Sequence, residues 1–188
     1  MGRFMNHKKW MAVIALAVTA LILTHLPVSE ADAAASASDF QTQGSTLVKY
    51  RGTEERVTIP DTVEVVGESA FENNQKVQFV VIPKSVKRLD AYVFWGCNNL
   101  EEVVLGKGLT AVDEYSFAGC TGLKQITIPE NIQSIDAQAF AGCVNLTDIY
   151  IPATVTGIAE DAFLNCDNVT IHADEGSVAA QFAQKLAE

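Results

Sequence analysis

Residues 97–119, CNNLEEVVLGKGLTAVDEYSFAG, form one unit of a pattern that repeats every 23 residues. Aligned phenylalanines and cysteines mark the repeat, and the next unit begins at Cys120. A fixed period of roughly 20 to 50 residues is typical of a solenoid, in which each unit buries its apolar side by stacking on its neighbours. The sequence therefore predicts a solenoid of about five coils over residues 57–172. The aligned positions are Phe71, Phe94, Phe117, Phe140 and Phe163, and Cys97, Cys120, Cys143 and Cys166.

Each unit carries two short apolar segments that predict strands. The first alternates, so that Val103 faces one way and Val104 the other. Proline cannot donate a ladder hydrogen bond; it follows this strand in four coils, and Gly106 takes its place in one. A second apolar pair follows, such as Leu109 and Val112. We expect a right-handed solenoid with one or two short parallel strands per coil and 3₁₀ or irregular turns, because longer helices do not fit into 23 residues.

The residue before each cysteine predicts how the coil turns back. Glycine precedes three of the cysteines and asparagine precedes the fourth. Because these residues adopt a left-handed backbone at little cost, we expect a positive φ at this position in every coil. The positions are Asn73, Gly96, Gly119, Gly142 and Asn165.

Segments at both ends of the repeats predict caps, which a solenoid needs to cover its terminal coils. Residues 34–38, of alanine and serine, are expected to be a flexible tether. Two strand-like runs flank Gly44 and predict a hairpin over residues 39–56. Residues 173–188 predict a capping helix, because Ser177 suits an N-cap. Three residues of the hairpin should face inward and three of the helix should share one face: Phe40, Leu47 and Tyr50, and Val178, Phe182 and Leu186.

Residues 1–33 predict a secretory signal peptide. A basic start precedes an apolar run over residues 10–28, and small residues follow. This order is typical of a signal sequence, and cleavage after Ala33 fits it best, with Ala35 and Ala37 as rival sites. The alternative is an uncleaved membrane anchor, since the run is about long enough to span a bilayer. We accordingly expect a mature protein that is secreted or exposed on the cell surface.

The charge of the chain argues against polyanionic partners. The full sequence carries a formal net charge of −10, and the part after the signal peptide is slightly more acidic. Such a surface repels the phosphates of nucleic acid, and it lacks the basic cluster expected of a protein that binds anionic lipid. We therefore expect no nucleic-acid partner, and membrane contact only through an uncleaved signal peptide.

The cysteines allow three interpretations: a metal site, disulfides or a row of buried thiols. A 23-residue step places one cysteine on each coil, in a row that cannot form a tetrahedral site. Neighbouring coils are close enough for disulfides, but stacked side chains run parallel rather than toward one another. We favour a ladder of buried free thiols, with no hydrogen-bond partner expected where the sulfurs lie.

The sequence offers little for catalysis. Histidine occurs at His7, His25 and His172, and only His172 lies after the signal peptide. This argues against triads that depend on histidine and against most zinc sites. We predict no catalytic, metal-binding or cofactor-binding residues, and an enzyme is a distant alternative.

The repeat resembles that of the BspA-type, or Treponema-type, leucine-rich repeat family. Its pattern is Leu-x-x-Ile-x-Ile-Pro-x-x-Val-x-x-Ile-x-x-x-Ala-Phe-x-x-Cys, and residues 123–143 and 146–166 match it best. The resemblance covers about residues 38–188, with departures at Gly106, at Asn74 and in the shortened last coil. It implies a leucine-rich-repeat solenoid, secreted or surface-exposed in bacteria and some protists, that binds host or partner proteins and has no catalytic activity.

The strand face opposite the core is the candidate binding surface. In a curved solenoid this sheet lines the concave side, which is the usual binding surface. The hypothesis is a protein that binds a protein partner there, in adhesion or host recognition. The alternative is a passive structural or spacer protein of the cell envelope, since Val, Thr and Tyr also suit strands. The candidate residues are Phe79, Val81, Glu102, Val104, Gln125, Thr127, Asp148 and Tyr150.

Overall fold

The computed structural model describes residues 35–187. The predicted signal peptide, and the membrane anchor that is its alternative, lie outside these residues. Within them the chain is a stack of coils, five of which contribute one strand to a first row and one to a second row, while the shortened last coil contributes a first-row strand only. The expected solenoid of short parallel strands is confirmed. The first row is β3 (Arg56–Thr58), β5 (Phe79–Val81), β7 (Glu102–Val104), β9 (Gln125–Thr127), β11 (Asp148–Ile151) and β13 (Thr170–Ala173), and the second row is β4 (Val65–Val66), β6 (Arg88–Leu89), β8 (Ala111–Val112), β10 (Ser134–Ile135) and β12 (Gly157–Ile158).

The N-terminal hairpin is part of the stack as well as a cap. Strands β1 (Phe40–Gln43) and β2 (Thr46–Tyr50) are antiparallel and are joined through Gly44, whose φ is +61°. Strand β2 then pairs in parallel with β4, so it begins the second row. The three residues expected to face inward are buried: Phe40, Leu47 and Tyr50.

The structure describes residues 35–38 of the flexible tether expected over residues 34–38, and it corrects the expectation there. Ala37–Asp39 form a 3₁₀ turn that leads directly into β1. The turn is held by a capping box, in which the Ser36 hydroxyl accepts from the backbone N–H of Ser38 and the Asp39 carboxylate accepts from that of Ser36 at 2.8 Å. Serine in this segment therefore caps a turn rather than lending flexibility.

The C-terminal cap is helix α1 (Val178–Leu186). The Ser177 hydroxyl accepts a hydrogen bond from a first-turn backbone N–H at 3.1 Å, as expected of an N-cap. The packed face differs from the expected one, because Phe182 faces the core together with buried Ala179, while both terminal residues of the helix are exposed. Packing of the Phe182 ring against the last coil sets this rotation of the helix.

A stack of aromatic rings runs through the core. The five periodic phenylalanines are buried, and rings of neighbouring coils have centroids 4.9–5.4 Å apart. Both caps extend the stack, since Tyr50 lies 4.9 Å from Phe71 and Phe182 lies 5.9 Å from Phe163. Aromatic pairs of this kind contribute roughly 0.5–1.5 kcal/mol each beyond the burial of their area. The stack therefore ties both caps to the coils.

The coil that contains β7 and β8 interrupts both rows. Strand β7 pairs with β5, whereas β8 pairs with β10, so each row is divided into two sheets. The turn between β7 and β8 carries Gly106 and Gly108, where other coils have a proline turn. A Cβ at Gly108 would overlap the carbonyl oxygens of Lys84 and Val86, and Gly106 is similarly close to the preceding coil. Only glycine allows this turn to approach the preceding backbone so closely.

Candidate binding surface

The structure places the eight candidate residues on the first-row strands, at positions that lie in register between neighbouring coils. Val81 lies opposite Val104, for example, and Gln125 opposite Asp148. Because the first row is divided between β7 and β9, the residues fall into two groups of four. The first group is Phe79, Val81, Glu102 and Val104, and the second is Gln125, Thr127, Asp148 and Tyr150.

The first group is the more apolar of the two. Val81 and Val104 are adjacent and partly exposed. Phe79 is also partly exposed, and the guanidinium carbon of Arg56 lies 4.3 Å from the centroid of its ring. A cation–π contact at an exposed site contributes roughly 0.5–1 kcal/mol. The first group thus presents two valines beside an aromatic ring that a cation already covers.

The second group is polar and more closely bonded. The His172 Nε2 atom of β13 lies 2.8 Å from Oδ1 of Asp148 in β11. Hydrogen bonds from His172 and Thr147 hold the pKa of Asp148 below its usual range. The parallel register of β11 and β13 brings these side chains together, and the shortened last coil hides that register in the sequence.

Tyr150 corrects the expected surface. As an aromatic residue of the outward column it is an expected contact residue, yet it is only 6% exposed and lies between Thr127 and His172 in register. Burial raises the pKa of Tyr150 to about 12, and the carboxylates of Asp174 and Glu130 add to the shift. A side chain covered to this extent offers little area to a partner. Strand alternation predicts the side of the sheet on which it lies, but not how its neighbours cover it.

A second aromatic group lies on the turns that follow the second row, where the sequence predicts no site. The rings of Tyr92 and Tyr115 stack with centroids 4.7 Å apart and planes inclined by 12°. Trp95 meets Tyr92 edge-on, at 6.5 Å and 90°, and is 40% exposed. We name these three residues the turn patch.

The signal for the turn patch in the sequence is a departure from the period. Both tyrosines occupy one position of the repeat, which is polar in the other coils, and the position of Trp95 is aromatic in one coil only. The equivalent residues are Ser69, Gln138 and Asp161 for the tyrosines, and Glu72, Ala118, Ala141 and Leu164 for Trp95.

Both tyrosines of the turn patch have a left-handed backbone. Their φ is +61° at Tyr92 and +54° at Tyr115, and Ser69 and Gln138 adopt the same conformation at this position. For a residue with a Cβ atom this costs roughly 1–2 kcal/mol. The expected left-handed column before the cysteines is confirmed, with φ from +55° to +72°. The left-handed backbone at the position of the tyrosines is not predictable from the sequence, because tyrosine does not indicate a positive φ.

The cysteines form the expected row of buried free thiols. Each thiol donates to the carbonyl oxygen of a phenylalanine 26 residues earlier, as Cys120 Sγ does to Phe94 at 3.1 Å. This corrects the expectation that these positions lack hydrogen-bond partners. Burial raises the pKa of Cys97 to about 12 and that of Cys120 well above its usual value. The thiolate that nucleophilic chemistry requires is therefore strongly disfavoured at these two residues.

Three carboxylates form an aspartate row, at equivalent positions of neighbouring coils: Asp90, Asp113 and Asp136. Burial raises the pKa of Asp113, the middle member, to about 6, and the charges of its two neighbours add to the shift. Arg88 opposes this shift and pairs with Asp90 at 2.6 Å. Within residues 35–187, no group of three or more His, Cys, Asp or Glu side chains is arranged to hold a metal ion. Among the same residues, no helix has both the length and the apolar character needed to cross a membrane.

Parallel-strand coils with a 23-residue period and aligned apolar columns define a leucine-rich-repeat solenoid. The chain belongs to the family of the BspA type leucine rich repeat region, six copies of which match residues 49–170. This is one copy more than the five coils expected. The match begins inside β2, which pairs with β4 as a member of the stack.

Solved structures of bacterial leucine-rich repeat proteins share this fold. A leucine rich cell surface protein from Faecalibacterium prausnitzii A2-165 is 34% identical, with a TM-score of 0.66, over 73% of this chain and 37% of its own. A leucine rich repeat protein of T. pallidum is 26% identical, with a TM-score of 0.70, over 73% of this chain and 70% of its own. One from Bacteroides ovatus ATCC 8483 is 28% identical, with a TM-score of 0.60, over 71% and 38%. This chain thus spans little more than a third of the first and third proteins, and no curated protein gave a match.

Proposed function

We propose that this chain is an exported, non-enzymatic protein of the bacterial cell surface that binds another protein through its first-row strands. The predicted signal peptide supports export. Similarity to a protein described as a leucine rich cell surface protein supports the location. Adhesion or recognition of a host protein is the role that such a surface would serve.

The pair Val81 and Val104 carries the proposal. The two side chains are partly exposed and in register on neighbouring strands, and they alternate with residues that enter the core. Phe79 and Glu102 flank them in the next column. An apolar centre with a polar rim is typical of a protein-interaction site. Strand preference alone would also favour valine here, so the test must separate contact from strand preference.

Threonine separates the two effects, because it keeps the β-branched shape of valine and replaces one methyl group with a hydroxyl group. We would measure binding of the protein and of its Val81→Thr/Val104→Thr variant to a panel of purified extracellular proteins by biolayer interferometry. The proposal predicts that a panel protein binds the unchanged chain and binds the variant at least about tenfold more weakly, since about 1.4 kcal/mol of lost contact has that effect. Val48→Thr, at a 47% exposed position of β2, is the matched control and should bind normally.

Two outcomes would contradict this proposal. If the double variant bound as tightly as the unchanged chain, the contact would lie elsewhere on the molecule. If no panel protein bound the unchanged chain, the alternative of a passive spacer in the cell envelope would be favoured, since a spacer needs no specific contact.

A further inference from the structure

We propose that the turn patch of Tyr92, Trp95 and Tyr115 is a second contact surface, which holds lysine or arginine side chains from an extended, basic segment of a partner protein. The turn patch follows the second row of strands, whereas the proposed valine contact lies on the first row. The two proposals therefore rest on different residues and can fail separately.

The geometry of the rings suits a cation. Tyr92 and Tyr115 stack at 4.7 Å with an inclination of 12°, and both residues are partly exposed, so the pair presents aromatic surface to solvent. The Trp95 ring is inclined by 90° to that of Tyr92 and is 40% exposed, so it adds a second orientation of aromatic surface to the patch. A Lys or Arg cation is attracted to such faces within about 6 Å of a ring centroid, and tryptophan and tyrosine are the strongest acceptors.

The backbone conformation shows that the left-handed turn does not require tyrosine at this position. At the same position, Ser69 and Gln138 make the same left-handed turn without an aromatic ring. Glycine or asparagine would adopt it at lower cost, whereas Tyr92 and Tyr115 hold it at φ of +61° and +54°. Left-handed backbone at bulky residues is concentrated at functional sites, where another requirement outweighs the strain.

The negative charge around the turn patch favours a basic segment of a partner protein. Glu114 adjoins Tyr115, and its backbone carbonyl accepts from the Tyr92 N–H at 3.3 Å, while Glu68 adjoins Ser69, the equivalent of Tyr92 in the preceding coil. Burial raises the pKa of the Tyr92 hydroxyl, and the charges of these two carboxylates are among those that add to the shift. Asp90 and Asp113 of the aspartate row, each two residues before one of the tyrosines, add further negative charge. Of the nearby cations, Arg88 is paired with Asp90, and the Lys49 ammonium donates to the Ser69 backbone carbonyl at 2.8 Å. With a net charge of −10 on the whole chain, the field favours a cationic segment over a neutral or anionic one.

Tryptophan fluorescence provides a direct test. The chain has two tryptophans, Trp10 and Trp95, so Trp10→Phe leaves Trp95 as the single reporter within the patch. We would titrate this protein with a ten-residue peptide of alternating lysine and glycine, and with the same peptide after acetylation of its lysines. The proposal predicts that the basic peptide shifts the Trp95 emission saturably and that the acetylated peptide does not.

The variant Tyr92→Asn/Tyr115→Asn separates the rings from the general acidity of the chain. Asparagine tolerates the left-handed backbone, so the fold should persist, and circular dichroism would check it. Peptide affinity should fall about tenfold, because each cation–π contact contributes roughly 0.5–2 kcal/mol. Tyr92→Phe/Tyr115→Phe keeps the ring faces and should bind normally. Leu164→Asn changes the position equivalent to Trp95 in a distant coil, which is 47% exposed, and is the matched control.

Each remaining outcome would overturn the proposal. Unchanged affinity of the asparagine variant would show that the peptide is held by the acidic surface alone. A Trp95 response to a neutral oligosaccharide, tested in parallel, with none to the basic peptide would assign the patch to sugar binding. The Val81→Thr/Val104→Thr variant should retain peptide binding. If this variant lost peptide binding, the valine pair and the turn patch would belong to a single contact surface.

Discussion

Two aromatic stacks cross the same coils, one inside the solenoid and one on its turns. Phe94 and Phe117 stack at 5.3 Å, and two residues earlier in the same coils Tyr92 and Tyr115 stack at 4.7 Å. The inner stack continues through five coils and into both caps, whereas the outer one has polar residues at its position in the other coils. Stacking of similar units requires a periodic column. A pair confined to two coils is not required by the repeat, and so it is a candidate for contact with a partner.

The two stacks also differ in backbone and burial. The inner rings are fully buried in the four coils from Phe71 to Phe140. The outer tyrosines are partly exposed and have a left-handed backbone. We therefore expect mutations in the inner stack to change stability and mutations in the outer stack to change binding.

The largest effect should follow from breaking the inner stack. Phe117 is fully buried, with a phenylalanine ring on either side. Phe117→Ala removes these contacts and leaves a cavity, so the free energy of unfolding should fall by about 3–5 kcal/mol. A urea titration measures this. A loss below about 1 kcal/mol would mean that the column is not the core of the fold.

The next largest effect is expected at the glycine turn between β7 and β8, which departs from the repeat pattern. Its variants test whether the stability of the stack depends on that turn. Gly108→Ala would place a Cβ against the carbonyl oxygens of Lys84 and Val86, and should lower the free energy of unfolding by about 1–3 kcal/mol. The control is Gly157→Ala, because a Cβ there would meet only the Ser134 Cβ at 3.8 Å. It should cause no loss. Equal stabilities of the two variants in thermal unfolding would refute the close approach of the glycine turn.

A smaller effect is expected in the thiol row beside the inner stack. Cys120→Ala removes a buried sulfur and should cost on the order of 1–2 kcal/mol. Cys120→Ser should cost no more than this, because the Phe94 carbonyl that accepts from the thiol can accept from the hydroxyl. Unfolding of both variants in guanidinium chloride measures the two losses of stability. If the serine hydroxyl had no partner, as the sequence predicts, the serine variant would be clearly less stable than the alanine variant.

The aspartate row should make stability depend on pH. Folding raises the pKa of Asp113 to about 6, so its favourable contribution is complete below about pH 4 and is lost as the pH rises through 6. Asp113→Asn should therefore stabilise the protein by about 1 kcal/mol at pH 7, after allowance for solvent screening. The difference between variant and unchanged chain should shrink as the pH falls to 4. Unfolding titrations across this range measure it, and a difference independent of pH would argue against the raised pKa.

The periodic features were predictable from the sequence because stacking imposes them. A side chain such as Phe117, repeated at every coil, must meet its own equivalents, so its burial follows from the period alone. The left-handed turn before each cysteine was predictable because glycine and asparagine indicate it. The caps were predictable for the most part, although Phe182 and not the terminal residues of α1 packs inward.

The features that depend on a particular neighbour were not predictable. Tyr150 is covered, although alternation places it on the outward column, and the register of His172 beside it is not visible in a shortened repeat. The Cys120 thiol donates to the Phe94 carbonyl because of the spacing between neighbouring coils, and this spacing cannot be read from the sequence. The left-handed tyrosines oppose the usual preference of their residue type, so local rules point away from them.

The most direct measurement compares two pairs from the same two coils. We would determine the free energies of unfolding of Phe94→Leu/Phe117→Leu and of Tyr92→Asn/Tyr115→Asn in one urea series. The inner pair should lose about 2–3 kcal/mol, because both rings are fully buried in the stack. The outer pair should stay within about 1 kcal/mol of the unchanged chain, because relief of the left-handed backbone offsets the lost ring contact. A loss by the outer pair equal to that of the inner pair would show that the turn patch also holds the fold, and would contradict the division between a structural and a binding stack.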